Sequence, residues 1–242
     1  MLARRVPDFI RSMVHRPGSP LRVMILTALL CALGVAGWKV QAAHRARVRG
    51  LPGGFPAPIS DADVLPLGVN VALDAYDDEE LAAIVTAIGE GGFVWVRQTF
   101  AWSEMHADGS SASYDWSKAD RVMEALSRHP RLRLVAVLDD EPAIPPEDPS
   151  AFAAFAGAFA ERYGDWVDHY QIWDEPNLAA RWGGGTMNPA AYADLLARAA
   201  EAIRSADPHA RILLAGQAPT TEMGPQNLSE PRYLERLYEA GA

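Results

Sequence analysis

From residue 64 onward the chain alternates short apolar, β-rich runs with longer stretches of helical periodicity. The runs near 65–73, 93–100, 132–139, 167–175 and 211–218 have the length and branched or aromatic content of strands. Between and after them the pattern predicts helices near 77–89, 116–129, 150–163, 189–206 and 231–240. The fourth helix carries the clearest signals. Asn188 stands as N-cap and Pro189 at the first helical position, where the missing N–H costs nothing and the fixed φ suits a helix. Tyr192, Leu195, Leu196, Ala199 and Ile203 then form one apolar stripe, and Asp207-Pro208 stops the helix. Such repetition predicts an α/β fold with a parallel sheet and right-handed crossovers, either an open doubly wound sheet or a (β/α)8 TIM barrel. No Gly-rich phosphate loop follows the first strand, so nothing supports a nucleotide-binding sheet, and five units do not close the usual barrel.

The fourth strand is the most informative. Val167-Asp168-His169-Tyr170-Gln171-Ile172-Trp173 is a buried-strand pattern that runs into Asp174-Glu175-Pro176-Asn177, two adjacent carboxylates and a proline that cannot continue the ladder. By the two-residue strand period, Val167, His169, Gln171, Trp173 and Glu175 are expected on one face, with Tyr170 and Ile172 on the other. Chemistry carried at the carboxyl ends of strands is a property of barrel enzymes.

The N-terminal quarter is different. An apolar run from Val23 to Trp38, 16 residues between Arg22 and Lys39, shows no amphipathic stripe. As a helix it spans roughly 24 Å, and Lys39 snorkelling with Val40 to Ala43 extends it toward the hydrocarbon thickness of about 30 Å. Residues 23–43 are therefore predicted to be a transmembrane or signal-anchor helix, after a basic segment over 1–22 and before a Pro/Gly linker over 44–63. The expected arrangement is a single-pass membrane protein with residues 64–242 outside the cytoplasm. Secretion after cleavage near Val40-Gln41-Ala42 is the alternative. Cys31, the single cysteine, lies inside the apolar run, so no disulfide forms within the chain. Residues 1–49 hold nine Lys or Arg against Asp8 alone, a charge of +8, which leaves −17 on the remainder of a chain whose net charge is −9. An acidic globular part repels nucleic-acid phosphates and suits a neutral ligand.

The order RQTFAWSEMH, YDWSKADRVMEAL, LRLVAVLD, YQIWDEPN and ILLAGQAPTTEMGP resembles the first five strands of a clan A glycoside hydrolase of the family 39 or family 5 type. The resemblance rests on Arg97 late in strand two, the Trp102-Ser103-Glu104 turn, Tyr114-Asp115-Trp116 opening the second helix, and Glu175 followed by Pro176. It covers residues 64–242 and implies a partial barrel whose Glu175 is the general acid/base, with carbohydrate as partner and no cofactor. Asp174 stands where that family has an Asn that holds the sugar 2-hydroxyl, so an acceptor replaces an amide. Arg97 corresponds to a residue that orients the nucleophile, and the rings of Trp102, Trp173 and Trp182 offer flat faces on which a sugar stacks, Trp173 being equally suited to filling the barrel. Asp139 and Asp140 end strand three and Glu222 follows strand five, on the side where a barrel carries its chemistry. They are expected to be loop or substrate-contact residues. His169, Asp174 and Asp139 have no metal-ligand spacing, and no metal is expected.

Glycosidic oxygen is a poor leaving group, so one carboxylic acid must protonate it while a second carboxylate attacks or stabilises the oxocarbenium-like centre. The resemblance places that second group at the end of a seventh strand, and no residue here matches it before Ala242, an ending expected of a truncated frame or fragment. Two functions follow: a membrane-anchored retaining glycoside hydrolase that is active when complete, or a non-catalytic carbohydrate-binding or scaffolding remnant.

Overall fold

The computed structural model describes residues 20–48, 67–105, 113–140 and 142–242. The basic lead, most of the Pro/Gly linker and Glu141 lie outside the described residues. The chain divides into two compact units, Met1–Pro56 and Ala57–Ala242.

In the first unit, helix α1 runs from Pro20 to Val48, 29 residues. Its side chains from Val23 to His44 are exposed, among them Leu26, Leu30, Leu33 and Trp38. The 22 residues Val23–His44 form a helix long and apolar enough to cross a membrane, about 33 Å at 1.5 Å per residue. The helix outruns its expected end at residue 43, because Ala and Arg favour helix and the first breaker after Ala43 is Gly50.

The second unit is a parallel five-stranded sheet with alternating helices, a partial (β/α) barrel. Its strands are β1 Gly68–Asn70, β2 Trp95–Ala101, β3 Arg133–Asp139, β4 His169–Ile172 and β5 Arg211–Leu213, paired in the order β1-β2-β3-β4-β5. The helices are α2 Asp78–Glu90, the short α3 Trp102–Met105, α4 Ser117–Ser127, α5 Pro149–Tyr163, α6 Pro189–Ala206 and α7 Glu230–Glu239. Strands one, four and five are shorter than the apolar runs that signal them, since those runs include loop residues that are apolar but unpaired. α3 was not expected.

The helix ends follow local chemistry. Asp77 caps α2 through its Oδ1, which accepts from Glu80 N–H at 2.9 Å, and Glu80 returns the bond to Asp77 N–H. Asn188 accepts from Ala191 N–H at 3.1 Å with Pro189 in the first turn, as the sequence signals. The expected stripe of α6 is buried at Tyr192, Leu195, Ala199 and Ile203.

Val96, Phe100, Leu134, Ala136, Leu138, Tyr170 and Ile172 point from the sheet into the core shared with the helices. Phe152, Phe155 and Phe159 of α5 supply its aromatic centre. The alternate positions Trp95, Arg97, Thr99, Arg133, Val135 and His169 are only partly covered or exposed. The polar groups that build the site come from this second face.

Candidate active site

The site begins with a break in strand period. Trp173 and Glu175 both have positive φ, 67° and 51°, in the left-handed region that bulky residues seldom enter. The turn at Trp173 shifts the alternation by one residue. Its ring goes to the helix side, fully buried and 5.8 Å from Phe152, and its Nε1 donates to the Arg181 carbonyl at 2.8 Å. Asp174 takes the place expected of Trp173 on the face of Gln171 and Arg97. The expectation that Trp173 and Glu175 continue the Gln171 face is therefore corrected by the backbone after Ile172. Backbone held in such a sparsely populated region is concentrated at functional sites.

Asp174 is tightly held. Arg97 Nη2 reaches its Oδ1 at 2.6 Å, and Gln171 Nε2 donates to the same oxygen at 3.0 Å. Arg97 Nε also donates to Gln171 Oε1 at 3.0 Å. Gly216, just beyond β5, has no room for a side chain without crowding the turn, since a Cβ there would stand 3.2 Å from Asp174 Oδ1. Glu175 is partly exposed, and its N–H donates to the Gly216 carbonyl at 2.9 Å. Its carboxyl thus sits on a pinned backbone at the carboxyl end of the sheet.

Asn177, absent from the expectations, ties three loops together. It is fully buried, donates through Nδ2 to the carbonyls of Ala218 and Leu228 at 2.9 Å each, and accepts from Ala218 N–H at 2.9 Å. Tyr192 does similar work one layer below, donating to the Ile172 carbonyl at 3.0 Å and accepting from Ala215 N–H at 2.8 Å. Both cross-link the ends of β4 and β5. The motif Glu175-Pro176-Asn177 was the available signal for the first, because a polar residue straight after a strand-end proline faces backbone groups that the proline leaves unpaired.

At the end of β3, Asp139 is fully buried; its Oδ1 accepts from Asp140 N–H at 2.8 Å and its Oδ2 pairs with Arg181 Nη2 at 2.6 Å. Burial outweighs these favourable contacts and pushes its carboxyl up to about 7. Asp140 accepts from Ser103 N–H at 2.9 Å, joining β3 to α3. Neither is an open carboxylate. Trp182 is also buried, its ring 5.4 Å from Trp173 and 6.1 Å from Tyr192. Trp173 and Trp182 therefore pack as core, which corrects the expectation of stacking faces at both. Trp102 is partly exposed, edge-on to Phe152 at 5.8 Å. Glu222 is exposed and accepts from Asn227.

A cavity of about 430 Å³ opens beside Arg97, lined by Asn70, Asp74, Gln98, Thr99, Glu104 and Arg181 at the carboxyl ends of β1 and β2. A larger one of about 630 Å³ lies at the opposite ends of β2 and β3, beside Phe93, His129 and Leu132, away from this chemistry. His169 faces Trp95 edge-on at 4.9 Å, and burial, with Arg211 nearby, holds its imidazole below the usual range. Among the described residues no group of three or more His, Cys, Asp or Glu is arranged to hold a metal ion.

No protein-family model and no curated protein matches the chain. Solved structures do. A glucosidase from Croceicoccus marinus matches 77% of this chain and 39% of its own at 18% identity and a TM-score of 0.51. A second glycoside hydrolase matches 68% and 55% at 19% identity and a TM-score of 0.50. The fold is that of the glycoside-hydrolase barrel, over its first five units. A family 39 glycoside hydrolase from the gut symbiont Bacteroides cellulosilyticus is also similar, over 61% of this chain and 30% of its own, at 18% identity and a TM-score of 0.48. The chain thus spans from about a third to just over half the length of these three proteins.

Proposed function

We propose that the barrel unit is the acid-bearing part of a membrane-anchored glycoside hydrolase of the retaining kind, with Glu175 as general acid/base. The observation that carries this reading is the placement of Glu175 on a left-handed, hydrogen-bonded turn at the carboxyl end of β4, partly open to solvent beside a pinned Asp174. The barrel fold agrees with it. In this reading Asp174, with Oδ1 occupied by Arg97 and Gln171, offers its second oxygen as an acceptor to a sugar hydroxyl. Trp102 supplies an apolar edge at the rim, and α1 anchors the unit so that the barrel works outside the cytoplasm. The second carboxylate belongs to strands beyond the five described.

One observation favours the other reading for this chain by itself. The neighbouring carboxylates at the strand ends are engaged: Asp139 is buried against Arg181, Asp140 caps Ser103, and Glu104 pairs with Lys118 at 2.9 Å. A chain with one free acid binds a sugar without cleaving it. The two readings separate on a Glu175→Gln variant, which abolishes acid-dependent hydrolysis under the first and leaves carbohydrate binding intact under the second.

A further inference from the structure

We propose that Gln171 is the positioning residue of this site: it clamps the turn that carries Glu175, and it shares with Asp174 a single negative charge set against Arg97. The inference rests on the hydrolase reading for its catalytic consequence, but not for its structural one.

Gln171 is almost fully buried on β4, and each of its amide atoms has a defined partner. Its Oε1 accepts from Arg97 Nε at 3.0 Å. Its Nε2 donates both to the Trp173 carbonyl at 2.8 Å and to Asp174 Oδ1 at 3.0 Å. This orientation is forced, because the flipped amide would set its NH2 group against a guanidinium N–H and its oxygen against a carbonyl. The bond to the Trp173 carbonyl fixes the peptide that leaves the left-handed residue, one residue before Glu175. A general acid must lie within hydrogen-bond reach of the leaving oxygen, so the orientation of that peptide sets whether Glu175 can act.

The charge argument is separate. Arg97, Gln171 and Asp174 form a closed ring holding one positive and one negative charge. Gln171→Glu keeps the shape but sets a second carboxylate about 3 Å from Asp174. Asp174→Asn also keeps the shape and removes the negative charge facing Arg97. In the reciprocal double variant the charge returns at position 171, Arg97 donates to it, and the new amide at 174 donates across the ring. The bond to the Trp173 carbonyl alone is lost.

The test is a double-mutant cycle on the full chain in detergent micelles, read by thermal melting. Each isosteric single change is expected to lower the midpoint by roughly 4 to 8 °C, and the double by less than either. Gln171→Leu, of similar volume, is not rescued by Asp174→Asn, which separates shared charge from packing. Losses that add in the double variant overturn the inference. The kinetic arm uses a form of the protein that includes the second carboxylate, with 4-methylphenyl and 2,4-dinitrophenyl glycosides as probes. The single variants are expected to lose roughly a hundredfold in kcat on the poor leaving group, with KM little changed, and the double to regain most of it. Coupled stability without turnover by the parent protein overturns the hydrolase reading alone. Turnover with additive stability losses overturns the clamp alone.

Discussion

Replacing Asn177 by Ala removes three hydrogen bonds at once, and the structure says what each was protecting. The Ala218 N–H, the Ala218 carbonyl and the Leu228 carbonyl are all buried, and the Asn177 side chain is fully enclosed with them. A buried polar group stripped of its partner costs about 1 to 3 kcal/mol. The three losses overlap, since a water entering the vacated space recovers part of them, so the expected total is about 3 to 5 kcal/mol. For a domain of this size about 1 kcal/mol moves the melting midpoint by roughly 2 to 4 °C, so Asn177→Ala should melt roughly 6 to 20 °C early. Asn177→Asp is the sharper control: it keeps the volume and the acceptor for Ala218 N–H but turns a carboxylate oxygen toward two carbonyls. It should be no better than Ala. Near-UV circular dichroism of the full chain during heating reads both. A midpoint within about 1 °C of the parent for Asn177→Ala would refute the claim that this residue ties the loops after β4 and β5 to the start of α7.

Three further outcomes are expected. Because burial raises Asp139 from its ordinary value of 3.8 to about 7, the folded state prefers its neutral form, so its stabilising contribution is complete below about pH 4 and is lost as pH rises through about 7. Relative to Asp139→Asn, the parent should lose at most about 4 kcal/mol between those limits in urea titrations, and a gain with rising pH would reverse the assignment. The chain Met1–Ala242 by itself should hydrolyse no aryl glycoside above background, and robust turnover would make Glu222 or a strand-three carboxylate a working second group. Alkaline carbonate should leave the intact chain in the membrane fraction, and its appearance in the soluble fraction would remove α1 as an anchor.

The fold was largely legible because its signals are periodic and local. α6 could be read from Asn188, Pro189 and one stripe, and the strands from apolar runs at regular spacing. Strand ends were less so: a run such as 211–218 is apolar throughout, but pairing stops at Leu213 because hydrogen bonding depends on the neighbouring strand. In the site, Glu175, Asp174 and Arg97 were visible as residue types at a strand end. Their arrangement was not. The left-handed turn at Trp173 breaks the very period on which face assignments rest, so Trp173 moved to the core and Asp174 to the site. Gln171, Gly216 and Asn177 went unnoticed because their importance lies in partners 41 to 74 residues away for the two side chains, and in close approach for the glycine. Trp182 looked like a stacking platform because exposure is not written in a loop sequence.

The most direct test of Glu175 as the acid is the leaving-group dependence of Glu175→Gln in a form of the protein that contains the second carboxylate. Glycosides with poor leaving groups should lose most of their hydrolysis, while activated aryl glycosides keep their glycosylation rate and, where deglycosylation limits, regain turnover with added azide, which attacks without a general base. If Glu175→Gln left every substrate equally active, the acid would lie elsewhere and the carbohydrate-binding reading would stand in its place.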